Sequence, residues 1–235
     1  MSLKSKILIA LIVLAFMLFA SLDLGGYTDL AYYVHSAILP LIAILYLLSI
    51  KEKTLFFSLF VYLFALSEFI ALFSNLLPSV IDYYSGNILY ILAYACLFIE
   101  ILRSIDFKQV LKNFLFHLIV LMLFSIYALY ELQDVQKDAY GYTLELLYNT
   151  VLVLLLSGSL INYFYRDDRK SLYLFFGSMF LVAYEVILVA YLYITQKCVL
   201  NITSTIFLLA AFYFLYQQNR YKHSDEKQSN FIVHL

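Results

Sequence analysis

The sequence is poor in charge, in glycine and in proline. Only 13% of its 235 residues are Asp, Glu, Lys or Arg, against about a quarter in soluble globular domains, and that excludes a water-soluble fold. The formal net charge is −1, so the chain has neither the high charge of a disordered segment nor the basic excess of a nucleic-acid binder. Two cysteines, Cys96 and Cys198, make neither a disulfide framework nor a thiolate metal site. Six glycines and two prolines, with uninterrupted runs such as Ile7–Ala20, exclude the alternating strands of a membrane barrel. No glycine-rich phosphate loop, no Ser-His-Asp order and no haem-type pair of histidines occurs.

What remains is apolar: 64% of residues are hydrophobic and the mean hydropathy is +0.88. A membrane-crossing helix needs about 20 such residues. The sequence predicts an all-α polytopic membrane bundle of eight transmembrane helices, at 7–24, 30–50, 54–77, 84–104, 109–131, 143–164, 171–194 and 198–217. They form one transmembrane domain, 1–217, followed by a short polar tail, 218–235, ending in Phe231-Ile-Val-His-Leu. The basic start before Ile7–Ala20 also has the form of a signal sequence, but the apolar run continues to Leu24 without a clean cleavage site. With both termini in the cytoplasm, all of the 15 Lys and Arg except Lys137 and Lys197 fall on the inner side, as the positive-inside rule requires. Acidic residues gather instead in the outer loops: Asp23, Asp29, Asp82, Glu131, Asp134 and Asp138. The expected location is the cytoplasmic membrane of a bacterium.

Four glutamates fall inside the spans. Glu100 is one turn from Arg103, and an (i, i+3) ion pair with snorkelling accounts for it. Glu145 opens span 6, where the helix dipole favours an anion. Glu68 and Glu185 are different. Spans 3 and 7 run in the same direction, and each glutamate lies about three residues past its midpoint, roughly 4–5 Å along the helix. Two carboxyls at one depth cost several kcal/mol unless a cavity, water or a partner relieves them. Either they are protonated and bond between helices, or they line a functional cavity. A short echo joins the two spans: Ala65-Leu-Ser-Glu68-Phe-Ile70 against Val182-Ala-Tyr-Glu185-Val-Ile187.

Other polar residues share this outer half: His35, Asn87, Tyr94, Tyr148 and Asn149. His117, in the inner half of span 5, reads as a link between helices. Many of the 23 tyrosines serve as interface anchors. Only His35 could join the two glutamates as a metal ligand, too few for zinc or iron, so no metal or cofactor is expected. The Asn201-Ile-Thr sequon lies too close to the bilayer to be used.

These residues carry a resemblance. The spacing His35 to Pro40, the pair Ser67-Glu68 closing a hydrophobic run, Gly86 followed by Tyr90 and Tyr94, and Gly177-Ser178 eight residues ahead of Glu185 resemble the lysoplasmalogenase family of YhhN-like eight-span membrane proteins. The family's Lys is His35 here, its two Asp-type positions are Glu68 and Glu185, its His is Tyr94, and a Gln-like position is Ala210. The resemblance implies hydrolysis of the vinyl-ether bond of a lysolipid, a membrane-lipid substrate, to an aldehyde and a glycerophospho-alcohol. An enol ether breaks when a proton reaches the alkene carbon and water attacks the resulting cation, so a paired acid and base suffice. Glu68 and Glu185 are the catalytic candidates, with His35, Tyr94, Tyr148 and Asn149 in substrate binding. A relative that only binds or carries a lysolipid or other small amphiphile, and a scaffold with neutral paired glutamates, stand beside this reading.

Overall fold

The computed structural model describes residues 3–50, 53–73, 76–136, 141–219 and 221. The lysines at 51 and 137 and the tail beyond Asn219 except Tyr221, including the segment 231–235, lie outside the described residues, as do the side chains of 107 and 132–136. Eight α-helices occupy the described residues: α1 (Leu3–Leu24), α2 (Thr28–Ser49), α3 (Leu55–Ala71), α4 (Ser79–Leu102), α5 (Phe107–Gln136), α6 (Tyr142–Arg166), α7 (Arg169–Val189) and α8 (Cys198–Gln218). Among them no strand is formed. Seven are long and apolar enough to cross a membrane, which fits a lipid setting, where a helix satisfies its own backbone polar groups. The exception, α3, has 17 residues, about 25 Å at the helical rise.

Hydropathy places the ends of spans 3 and 4 differently from the structure. The sequence carries span 3 to residue 77 and begins span 4 at 84, whereas α3 stops at Ala71 and α4 starts at Ser79. Pro78 explains much of the shift. It disfavours helix at Leu77 and immediately precedes the first turn of α4, where its fixed φ is already suited to a helix start. Apolar Leu76 and Leu77 therefore belong to a connection. Helix α7 passes without a break into a single π-helical turn, Ala190–Ile194. Its start is fixed by a capping box, in which the Asp168 carboxylate accepts from the Ser171 backbone N–H at 2.7 Å.

Sequence neighbours pair as hairpins, α1 with α2, α3 with α4 and α7 with α8, and α6 packs against both α4 and α7. Helix α5 leans chiefly on α6 and bends at Phe114, whose dihedrals are non-helical. Leu115, Phe116, Ile119 and Leu123 on it are all exposed, the surface lipid would cover. The core between the hairpins is aromatic. Phe60 stacks on Phe212 at 5.7 Å, and Phe64 meets the edges of Tyr90 and Tyr94 at 4.8 and 5.5 Å, tilted contacts that suit the aromatic quadrupole.

Two expected features at the N-terminal end of the bundle take another form. Arg103 follows the last residue of α4 and lies over the Phe56 ring, 5.2 Å from its centroid. The expected pair with Glu100 is therefore not formed among the described residues. His117 does meet α6, with its ring 5.7 Å from that of Phe164, while staying exposed.

Candidate functional site

The far end of the bundle, opposite the N-terminus, holds a chamber of about 410 Å³. The C-terminal turns of α1, α3 and α7 and the N-terminal turns of α2, α4, α6 and α8 converge on it, and no described side chain of α5 lines it. Its volume falls in the range of small-molecule sites, roughly 300–1,000 Å³.

Glu68 and Glu185 both line this chamber and both are 95% buried. Each is held by its own phenol from one face of α4, where Tyr90 and Tyr94 are one turn apart. Tyr90 Oη donates to Glu68 Oε1, and Tyr94 Oη donates to Glu185 Oε1. Tyr148 of α6 lies beside Glu185 on the chamber wall. The phenols are placed by packing: Phe64 wedges between Tyr90 and Tyr94, and Tyr148 meets both edge-on. The second oxygen of Glu68, Oε2, faces His35 Nδ1 at 4.0 Å, beyond hydrogen-bond reach. His35 itself packs on Phe19 of α1. Ser67, beside Glu68, donates to the Gly86 carbonyl at 3.2 Å and ties α3 to α4 at this level.

Of the other sequence-predicted residues, Tyr148 and Asn87 line the chamber. Tyr94 is fully buried, is not itself a lining residue, and meets the chamber wall through Glu185 and Tyr148. Asn149 is buried on α6 next to Tyr148 and is not a lining residue.

Three further acids line the chamber that hydropathy puts at the membrane interface. Glu145 accepts from Tyr83 Oη at 2.6 Å and is nine-tenths buried, so it is built into the site as well as the first turn of α6. Its neighbour Gly141 has φ +91°, and a Cβ there would lie 2.8 Å from the Tyr83 ring. Only glycine suits both the backbone and the phenol. Asp23 is buried at the end of α1 and accepts from Asn201 of α8 at 3.2 Å. Asp82, on the first turn of α4, accepts no hydrogen bond through its carboxyl from any described residue. The π-helical turn brings Tyr191, Leu192 and Tyr193 to the wall, a use typical of such turns near sites.

Fold and site together define a helical membrane bundle with a carboxyl- and tyrosine-lined chamber at one end. Comparison with known proteins goes no further: no family model matches the chain, and no curated protein or solved structure does.

Proposed function

We propose that the chain is an integral membrane hydrolase of lysolipids, resembling lysoplasmalogenases, which cleaves a vinyl-ether bond to an aldehyde and a glycerophospho-alcohol. One observation carries the reading: Glu68 and Glu185 line a single chamber, each with one oxygen engaged by a tyrosine hydroxyl. One carboxyl delivers its proton to the alkene carbon, and the double-bond electrons form the new C–H bond, leaving an oxocarbenium ion. The other carboxyl stabilises that cation and takes a proton from the water that attacks it. The hemiacetal then collapses, its C–O bond breaking with proton return to the leaving oxygen. Water is the only co-reactant.

The test is a hydrolysis assay on purified protein with a lysolipid vinyl ether, its saturated ether and its ester analogue. Aldehyde release from the vinyl ether alone is expected. A chain that binds the lysolipid in a Glu68-dependent way without turnover would be a binder or carrier. One feature favours that second reading: His35, at the position of the family's Lys, faces Glu68.

The same proposal places eight crossings in the membrane, with α3 the shortest, and both termini on the cytoplasmic side. The arrangement of Lys and Arg supports it. A fluorescent protein fused after Leu235 is expected to mature, while alkaline phosphatase fused at that position stays inactive. The reverse pair of results would put the C-terminus outside and remove one crossing or add one.

A further inference from the structure

Tyr184 of α7 lines the chamber and is only 3% exposed, yet its hydroxyl makes no hydrogen bond to any described residue. Buried phenols ordinarily find a partner. Two others on the same wall do: Tyr83 donates to Glu145, and Tyr90 donates to Glu68. Nor is the Tyr184 oxygen sealed in. Among the described residues, the buried side-chain atoms that are both unpartnered and closed off belong to Ser36, Thr54 and Asn162, and none of these lines the chamber. The Tyr184 hydroxyl therefore opens into the chamber space, where something small and polar can satisfy it.

Its surroundings narrow the occupant. Glu185 follows Tyr184 on α7, and both Glu185 and Glu68 are near enough for their charge to act on the phenol. A phenol oxygen accepts as well as donates, and an ionised carboxyl only accepts. Water carries two hydrogens, so one molecule can donate to the Tyr184 oxygen and to a carboxylate at once. Such a water needs about two to four polar partners and roughly 30 Å³, and the chamber of about 410 Å³ supplies both.

We propose that the Tyr184 hydroxyl holds an ordered water against the carboxyls, and that Tyr184 thereby presents the attacking water in vinyl-ether hydrolysis. The second half rests on the hydrolase reading, and the first half does not. In that step a lone pair on the water oxygen forms the bond to the oxocarbenium carbon. One water proton passes to whichever carboxylate, Glu68 or Glu185, acts as base, and the other stays hydrogen-bonded to Tyr184 Oη. The phenol keeps its own proton throughout. It serves on the water and not on the ether oxygen, because donation to that oxygen would oppose the positive charge that develops there.

Two measurements test this. The first is a crystal structure of the full chain grown in a lipidic mesophase without substrate. A water is expected about 2.7–2.8 Å from Tyr184 Oη and within hydrogen-bond reach of a Glu68 or Glu185 oxygen, and it should be lost in Tyr184→Phe. A hydroxyl bonded to another side chain, or one with no water against it, would overturn the proposal. The second lets methanol compete with water for the cation and reads the ratio of mixed methyl acetal to aldehyde. Tyr184→Phe breaks no hydrogen bond among the described residues, so an unchanged unfolding temperature is expected. The acetal-to-aldehyde ratio should rise about tenfold, the effect of one hydrogen bond lost from the water. A phenol that only fills space would leave that ratio where it was, and such a result would sink the catalytic half. The ordered water without aldehyde or acetal from the wild type would remove the hydrolase reading and leave Tyr184 as a water site. Aldehyde release with no water on Tyr184 would keep the hydrolase and discard this role.

Discussion

Glu185→Gln is expected to lower vinyl-ether turnover by roughly 10²–10⁴-fold, the usual contribution of a positioned acid or base. The amide keeps the shape of the side chain, and its carbonyl oxygen still accepts from Tyr94. What it loses is the ability to take or give a proton and the negative charge that would face an oxocarbenium ion. Glu68→Gln is expected to fall in the same range, because neither carboxyl performs both halves of the reaction. Tyr94→Phe and Tyr90→Phe serve as the contrast. Each removes one hydrogen bond from a carboxyl while the ring keeps its packing against Phe64 and Tyr148, and a loss of about tenfold is expected from a hydrogen bond of about 1.5 kcal/mol. Initial rates of aldehyde release on folded, monodisperse variants decide the matter. Full turnover in both glutamine variants would remove the mechanism, and losses in the tyrosine variants as large as those in the glutamine variants would move the proton chemistry onto the phenols.

The two glutamates were legible in the sequence because ionisable groups are rare and costly in an apolar run. Their depth followed from counting residues along spans 3 and 7. Of the two tyrosines that hold them, Tyr94 was singled out by its depth in span 4, whereas Tyr90 appeared only in the spacing of the resemblance. Tyr90 is one of 23 tyrosines, and nothing in its neighbourhood separates an interface anchor from the donor to a buried carboxyl. Only the packing of α3 against α4 does that. Asp23, Asp82 and Glu145 were hidden for another reason. Hydropathy puts them at span ends and in loops, where a charge needs no partner, but the helix ends lean together and turn that rim into a wall of the chamber. The same one-dimensional view ran span 3 through Leu76 and Leu77, because a connection made of leucines has the hydropathy of a helix. It also passed over the π-helical turn, whose extra residue per turn leaves the apolar run intact while changing which side chains face inward.

Gly177→Ala is expected to destabilise the fold by overpacking. Helices α7 and α8 make a close hairpin, and a Cβ at Gly177 would lie 2.6 Å from Leu215 Cγ, 2.7 Å from its Cδ2 and 3.3 Å from its backbone nitrogen. Leu215 is fully buried, so its branch point has no open space to move into, and the nearby backbone opposes a simple rotation of the side chain. Small residues at such crossings let the two backbones approach in a membrane, where no hydrophobic force drives helices together. Overpacking of this kind costs about 1–3 kcal/mol. A lowered unfolding temperature in detergent micelles is expected for Gly177→Ala, with a larger drop for Gly177→Val. Glu185 is eight residues further along the same helix, so a forced separation of α7 and α8 also shifts a carboxyl relative to Tyr94. Leu215→Ala tests the cause. On its own it is destabilising, since it deletes a buried side chain. In combination with Gly177→Ala it relieves the collision, so the double variant should lose clearly less than the two single losses added together. Strict additivity would show that the alanine methyl and Leu215 never met, and that the glycine serves α7 in some way other than close approach to α8.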